Sequence, residues 1–123
     1  MAKTIMVIDD SASIRQVLTI VLKNGGYDVI EACDGRDGLD KLFGKKVNLI
    51  LCDVNMPNMD GITFVRSLKA SSTHRFTPVV MLTTESSESK KVEGKQAGAK
   101  AWMVKPFKPE QMLDAVSKLC LPN

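Results

Sequence analysis

Histidine is almost missing from this chain of 123 residues, with His74 the single example. Cysteine is sparse as well. Cys33, Cys52 and Cys120 are odd in number, scattered and free of any CxxC spacing. These shortages leave no basis for a disulfide framework or a zinc site, and they fit a reducing cytosol. No apolar run approaches the roughly 18 residues that would span a bilayer, and the start, MAKT, has no signal-peptide plan. A soluble cytoplasmic protein without membrane attachment is expected. Charge of one sign is also lacking: 17 Lys and Arg against 14 Asp and Glu leave +3, spread along the chain. Charge alone therefore gives no case for nucleic acid. Repeats, low-complexity tracts and linkers are absent, so one domain over residues 1–123 is expected. What remains, 44% apolar and 25% charged residues, describes an ordinary globular protein.

Apolar periodicity alternates between two kinds of segment. Thr4 to Ile8 is a strand-length apolar run, and Ile14, Val17, Leu18, Val21 and Leu22 then recur at helical spacing. Ser11 or Ser13 is placed to cap that helix and Gly25-Gly26 to end it. A second strand is predicted near Asp28 to Ala32, followed by a short helix on Leu39, Leu42 and Phe43. VNLILC, residues 47–52, reads as a strand buried on both faces. Ile62, Val65 and Leu68 give a third helix, and Pro78 opens the strand VVML at 79–82. A weak helix over 87–98 has Val92 and Ala97 as almost its only apolar residues and Gly94 inside it, so it should be the least anchored. Ala101 to Val104 form a fifth strand, and Pro109 opens a last helix carrying Met112, Leu113, Val116 and Leu119.

Five strand–helix units with short connections imply an α/β fold, a doubly wound five-stranded parallel sheet with helices on both faces. Ligands of such sheets sit beyond the carboxyl ends of the strands. Those ends carry Asp9 and Asp10 on the first strand, Asp53 on the third, Thr83 on the fourth and Lys105 after the fifth. Carboxylates about 5 Å apart repel by roughly 3 kcal/mol per pair at an effective dielectric near 20. A cation belongs among them, and an oxygen-only ligand set with room for water describes Mg²⁺, completed by phosphate oxygens. Lys105 would neutralise phosphoryl charge and the Thr83 hydroxyl would donate to a phosphoryl oxygen. Asp53, central among them, is the natural nucleophile, since a carboxylate can form an acyl phosphate.

The pair DD at 9–10, Asp53 within LILCDVNMPNMDG, Thr83, and KPF at 105–107 together resemble the receiver domain of two-component response regulators. The resemblance spans the chain. It implies a flavodoxin-like, CheY-like sheet of order 2-1-3-4-5 and a Mg²⁺-dependent, self-catalysed transfer of a phosphoryl group from a histidine kinase onto Asp53. Carried over by position, Asp10 is a direct Mg²⁺ ligand, Asp9 a ligand through water, and Asn55 the source of a backbone carbonyl. Thr83 holds the phosphoryl group and Lys105 pairs with it. The Lys105–Pro106 bond is expected to be cis. Asn55 and Glu85 occupy the positions that tune dephosphorylation, and Trp102 stands where the family usually carries a switching Tyr or Phe.

Because the chain ends at Asn123, just after the last helix, output is expected to pass through another protein. DDSASIR and the length resemble the single-domain chemotaxis regulators, which implies a monomer binding the flagellar motor switch protein. The expected partner surface runs over residues 86–119, where lysines outnumber acids and an acidic or amphipathic peptide would fit. A stand-alone phosphorelay receiver is the alternative within the family. Outside it, an FMN-binding flavodoxin-like protein shares the architecture, but Asp9 and Asp10 would repel its phosphate. A Mg²⁺-dependent phosphohydrolase would place a second acid close after Asp53, where this chain has VNM.

Overall fold

The computed structural model describes residues 2–71, 73–83, 88–105 and 108–122, with backbone alone over 88–90. Strands β1 (Thr4–Ile8), β2 (Asp28–Ala32), β3 (Leu49–Asp53), β4 (Val79–Thr83) and β5 (Ala101–Val104) alternate with helices α1 (Ala12–Asn24), α2 (Gly35–Leu42), α3 (Gly61–Lys69), α4 (Glu88–Ala97) and α5 (Pro109–Leu119). All strand pairs are parallel, in the order β2-β1-β3-β4-β5.

Strand alternation divides the core in two. Met6, Ile8, Ile50, Cys52, Val79 and Met81 face one side, where Leu42 of α2 and Phe64, Val65 and Leu68 of α3 cover them. Ile5, Val7, Leu49, Leu51, Val80 and Leu82 face the other, under Leu18 and Leu22 of α1 and Met112 and Val116 of α5. Every residue of β3 and β4 is buried, as the continuous apolar run VNLILC implies, although the strand begins two residues later, at Leu49.

The helix ends follow local chemistry. Ser11, not Ser13, caps α1 by accepting from the Ile14 N–H, and Asp34 and Asp60 cap α2 and α3 in the same way. Gly26, at φ 92°, carries the chain out of α1 in the left-handed region that suits glycine. Phe43 departs from expectation: it lies past the end of α2 and is 89% exposed. Helix α4 is weakly anchored as expected, yet Val92 does not anchor it, being 51% exposed. Its only fully buried described residue is Gly94, whose backbone lies against the Trp102 ring. Where α1 gains about 1.5–3 kcal/mol from each of two buried leucines, α4 has no comparable side chain among its described residues. Among the described residues, no helix is long and apolar enough to cross a membrane.

Candidate functional site

The order β2-β1-β3 means that the chain leaves β1 in one direction and returns on its other side. A crevice therefore opens between the carboxyl ends of β1 and β3. Asp9 and Asp10 follow β1 and Asp53 ends β3, and the carboxylate oxygens of the three lie within 4.8 Å of one another. Asp9 is 1% exposed and Asp53 8%, whereas Asp10 opens to solvent.

Each buried acid is held. Asp9 accepts from the Ser11 N–H at 2.9 Å, and its backbone carbonyl accepts from the Arg15 guanidinium, which also faces Glu31 at 3.4 Å. Asp53 Oδ1 accepts from the Val54 N–H at 2.9 Å. Lys105 reaches into the crevice from the end of β5, with Nζ 3.0 Å from Asp9 Oδ2 and 3.6 Å from Asp53 Oδ1. Its backbone N–H donates to the Thr83 carbonyl at 2.7 Å, which ties the two strand ends together. Thr83 is fully buried one position beyond Leu82, the register partner of Asp53. Asn55 is exposed on the loop leaving β3.

That loop is built around the acid. Asn58 takes φ 65° and donates to Asp34 Oδ2 at 2.8 Å, while Gly61 N–H donates to the Val54 carbonyl at 2.9 Å. A Cβ on Gly61 would stand 2.2 Å from the Asp53 carbonyl oxygen, so only glycine permits this return of α3 beneath the acid.

Burial, followed by the neighbouring Asp9 charge, raises the Asp53 carboxyl above the ordinary carboxylate range, against the opposing pull of Lys105 and the Val54 N–H. The crevice thus holds an acid that gains from an added cation. All the donors there are oxygens and the set is strongly negative, which fits a hard divalent ion that keeps part of its water.

Residues 5–117 match the family model for the response regulator receiver domain. The chain belongs to that family. Among curated proteins, this receiver domain is similar to PilG of Pseudomonas aeruginosa, 38% identical over 91% of this chain and 83% of that one. It is also 40% identical to the alkaline phosphatase synthesis transcriptional regulatory protein PhoP of Bacillus subtilis, over 91% of this chain but 46% of the regulator. The chain thus spans less than half of that longer relative. Among solved structures, the chemotaxis protein CheY4 of Vibrio cholerae superposes with a TM-score of 0.93 at 44% identity, covering 97% of this chain and 99% of CheY4. A CheY-like receiver domain protein from Methanospirillum hungatei superposes at 0.90 with 27% identity, over 96% and 93% of the two chains.

The receiver's expected residues come together in part. Asp9, Asp10, Asp53 and Lys105 form one cluster, Thr83 sits at its neighbouring strand end, and Asn55 lies on the adjoining loop. Trp102 is apart from them, half-buried between β5 and α4, with its Nε1 buried and without a hydrogen-bond partner among the described residues. Glu85 and Pro106 lie outside the described residues. Sequence reasoning gave no role to Arg15, although its four-residue spacing from Ser11 turns it back over the β1 end. Nor does the sequence pattern mark Gly61, which must pass beneath the Asp53 carbonyl, or Asp34, which holds Asn58.

Proposed function

We propose that this receiver domain accepts a phosphoryl group on Asp53 from a histidine kinase and signals through a partner that binds the phosphorylated form. The observation that carries the proposal is the environment of Asp53 Oδ1, a buried carboxylate oxygen fixed by the Val54 N–H and facing Lys105 Nζ at 3.6 Å inside a cluster of three acids. Asp9, Asp10 and Asp53, with the Asn55 backbone carbonyl, would hold Mg²⁺, which supplies Lewis-acid stabilisation of phosphoryl oxygens when bound. An Asp53 oxygen attacks phosphorus in line, its O–P bond forms as the P–N bond of the phosphohistidine breaks, and the departing imidazole nitrogen is left to take a proton from solvent. Lys105, already held by Asp9, meets the charge gathered on the phosphoryl oxygens, and the Thr83 hydroxyl donates to one of them. Asn55 and Glu85 set how readily water attacks the aspartyl phosphate, breaking its O–P bond to release inorganic phosphate and restore the Asp53 carboxylate.

The partner surface proposed is α4, β5 and α5 within residues 86–119, reached from the site through Thr83 and Trp102. The similarity to CheY4 supports chemotaxis output at the flagellar motor switch; a phosphorelay receiver remains the second outcome to test. Intact mass after incubation with Mg²⁺ and a small phosphodonor should show one alkali-labile phosphoryl group on the wild type and none on Asp53→Asn. Equal labelling of the two would refute Asp53 as acceptor. Binding of the phosphorylated form to a motor-switch peptide, lost on charge reversal at Lys91 and Lys95, would separate motor output from relay output.

A further inference from the structure

The end of the sheet opposite the acidic crevice carries the reverse character. Two adjoining clefts lie there, of about 440 Å³ and about 330 Å³, sharing Phe76 and Leu121 in their walls. Six cations line them, namely Lys45, Lys46, Lys69, Arg75, Lys100 and Lys118, and among the described residues no carboxylate does.

Helix geometry accounts for only two of these. Lys69 and Lys118 stand in the last turns of α3 and α5, where cations complement the carbonyl ends. Lys69 is also spent on the carbonyls of Arg75 and Thr77, and Lys118 on Asp114 at 3.0 Å. The other four have no carboxylate partner among the described residues. Burial, and then the nearby Lys100 charge, lowers the Lys69 ammonium from its ordinary value, as expected where positive charge lacks a counter-charge.

Apolar groups are exposed beside this charge. Phe76 is 77% exposed with the Arg75 guanidinium 5.0 Å over its ring, Phe43 is 89% exposed, and Leu121 is 39% exposed. Phe43 walls a third cleft of about 400 Å³ that shares Gly44, Thr73 and His74 with the first. The walls are fixed. His74 Nε2 lies 3.1 Å from the Leu42 carbonyl, and Asn48 exchanges backbone and side-chain bonds with Leu121 at 3.0 Å.

We propose that this face, at the end of the sheet opposite Asp53 and meeting the 86–119 surface at its edge through Lys100, Lys118 and Leu119, is a second docking surface for a protein segment that is acidic and carries aliphatic or aromatic side chains. Carboxylates of such a segment meet Lys45, Lys46, Arg75 and Lys100, while its apolar side chains enter the clefts beside Phe43 and Phe76. Clefts behind the rings suit side chains of a peptide better than a lipid surface, which cannot fill concavities. Docking here leaves the crevice at Asp53 open, so a partner could hold the domain without blocking phosphoryl transfer.

The probe is a fluorescein-labelled 14-residue peptide in which Glu pairs alternate with Leu and Phe, followed by anisotropy at low salt. Control peptides carry Ser for Leu and Phe, or Lys for Glu. The wild type should bind the first peptide and neither control. Lys45→Glu with Lys46→Glu should weaken binding at least tenfold, and Phe76→Ser at least fivefold, while Lys91→Glu with Lys95→Glu should change it less than twofold. All are surface positions, and unchanged thermal melts verify the fold. The proposal is overturned if the peptide fails to bind, if only the Lys91 and Lys95 reversal weakens it, or if phosphatidylserine vesicles bind through Lys45 and Lys46 while the peptide does not. Sedimentation showing self-association abolished by Lys45→Glu with Lys46→Glu would also overturn it, by assigning the face to a second copy. None of these readouts depends on phosphorylation of Asp53.

Discussion

Replacing Gly61 with alanine tests how closely the acceptor's backbone is held. Alanine suits the first turn of a helix, and on propensity the change should gain up to about 1 kcal/mol. The contact opposes it. The new Cβ would lie 2.2 Å from the Asp53 carbonyl oxygen, where real contacts stay beyond 3.0 Å, so the two must part by at least about 0.8 Å. Met81 Cε, 2.8 Å away, can swing aside, but the carbonyl is main chain at the end of β3, in register with Leu82 of β4, and cannot swing as a side chain can. Overpacking against backbone costs about 1–3 kcal/mol, which exceeds the propensity gain. Because the displaced atom belongs to the acceptor residue itself, a shift near 1 Å should also slow phosphoryl transfer by about a hundredfold. Urea denaturation gives the first quantity, and the initial rate of labelling by a small phosphodonor, followed by intact mass, gives the second. Gly38→Ala is the control. Its Cβ would meet the flexible tip of Ile8 at 2.7 Å, and its stability should stay within about 1 kcal/mol of wild type. Wild-type stability together with a wild-type rate in Gly61→Ala would refute the reasoning.

Lys105→Met leaves Asp9 and Asp53 without their nearest cation, and breaking a buried pair of this kind should cost about 3 kcal/mol in chemical denaturation without divalent ions; no loss would show the pair to be energetically idle. For Asp53→Asn the sign follows from a raised native carboxyl. Asp53 is neutral in both states below the ordinary carboxylate range, and its charge becomes costly as pH rises through the native value. The variant should therefore match wild type near pH 3 and exceed it near pH 7 in metal-free urea melts, and a gap that closes as pH rises would contradict this. Gly94→Ala puts a Cβ 2.8 Å from Trp102 Cζ3, so the only indole of the chain must turn and its emission or quencher access should change, with an unchanged spectrum excluding the contact. Thr83→Ala should diminish any Trp102 fluorescence change that follows phosphorylation of Asp53 if the two residues act together.

Much of this was legible because it is local. The apolar runs over residues 4–8 and 47–52, the helical spacing from Ile14 to Leu22, and a serine cap before that helix are written within a few neighbouring positions. The cluster could be assembled from one further rule, that ligands gather at the carboxyl ends of parallel strands, which brings Asp9, Asp53 and Lys105 together over 96 residues of chain. What escaped depends on approach across the chain. Gly61 carries no mark of its role, because nothing in MPNMDG says that the Asp53 carbonyl will lie against it. Gly94 looked like a weakness in a helix, since the ring that needs its missing side chain is eight residues later on β5. Phe43 fits the helical stripe of α2 and misses it only because the helix ends one residue sooner. A periodic pattern reports which way a side chain faces, not what will come to meet it.

The distribution of anchoring bears on how a signal could leave the site. Charge at Asp53 acts on a crevice whose walls are β1, β3 and the linked ends of β4 and β5. Three of those strands are fully buried or nearly so and would resist displacement at the cost of several apolar contacts each. Helix α4 has much less to lose. Of its described residues only Gly94 is buried, Arg66 holds Glu93 by a half-exposed pair at 3.6 Å, and the Trp102 indole beneath it has an N–H without a hydrogen-bond partner among the described residues. An input worth a few kcal/mol can redistribute only elements whose alternative arrangement lies within that range. On the proposed function, the phosphoryl group would therefore be read on α4 and β5 because that is where rearrangement costs least. Hydrogen exchange makes the argument testable, since amides of α4 should open at free energies well below those of α1 and α5 before any phosphorylation. Equal protection across the three helices would remove the reason for placing the response there.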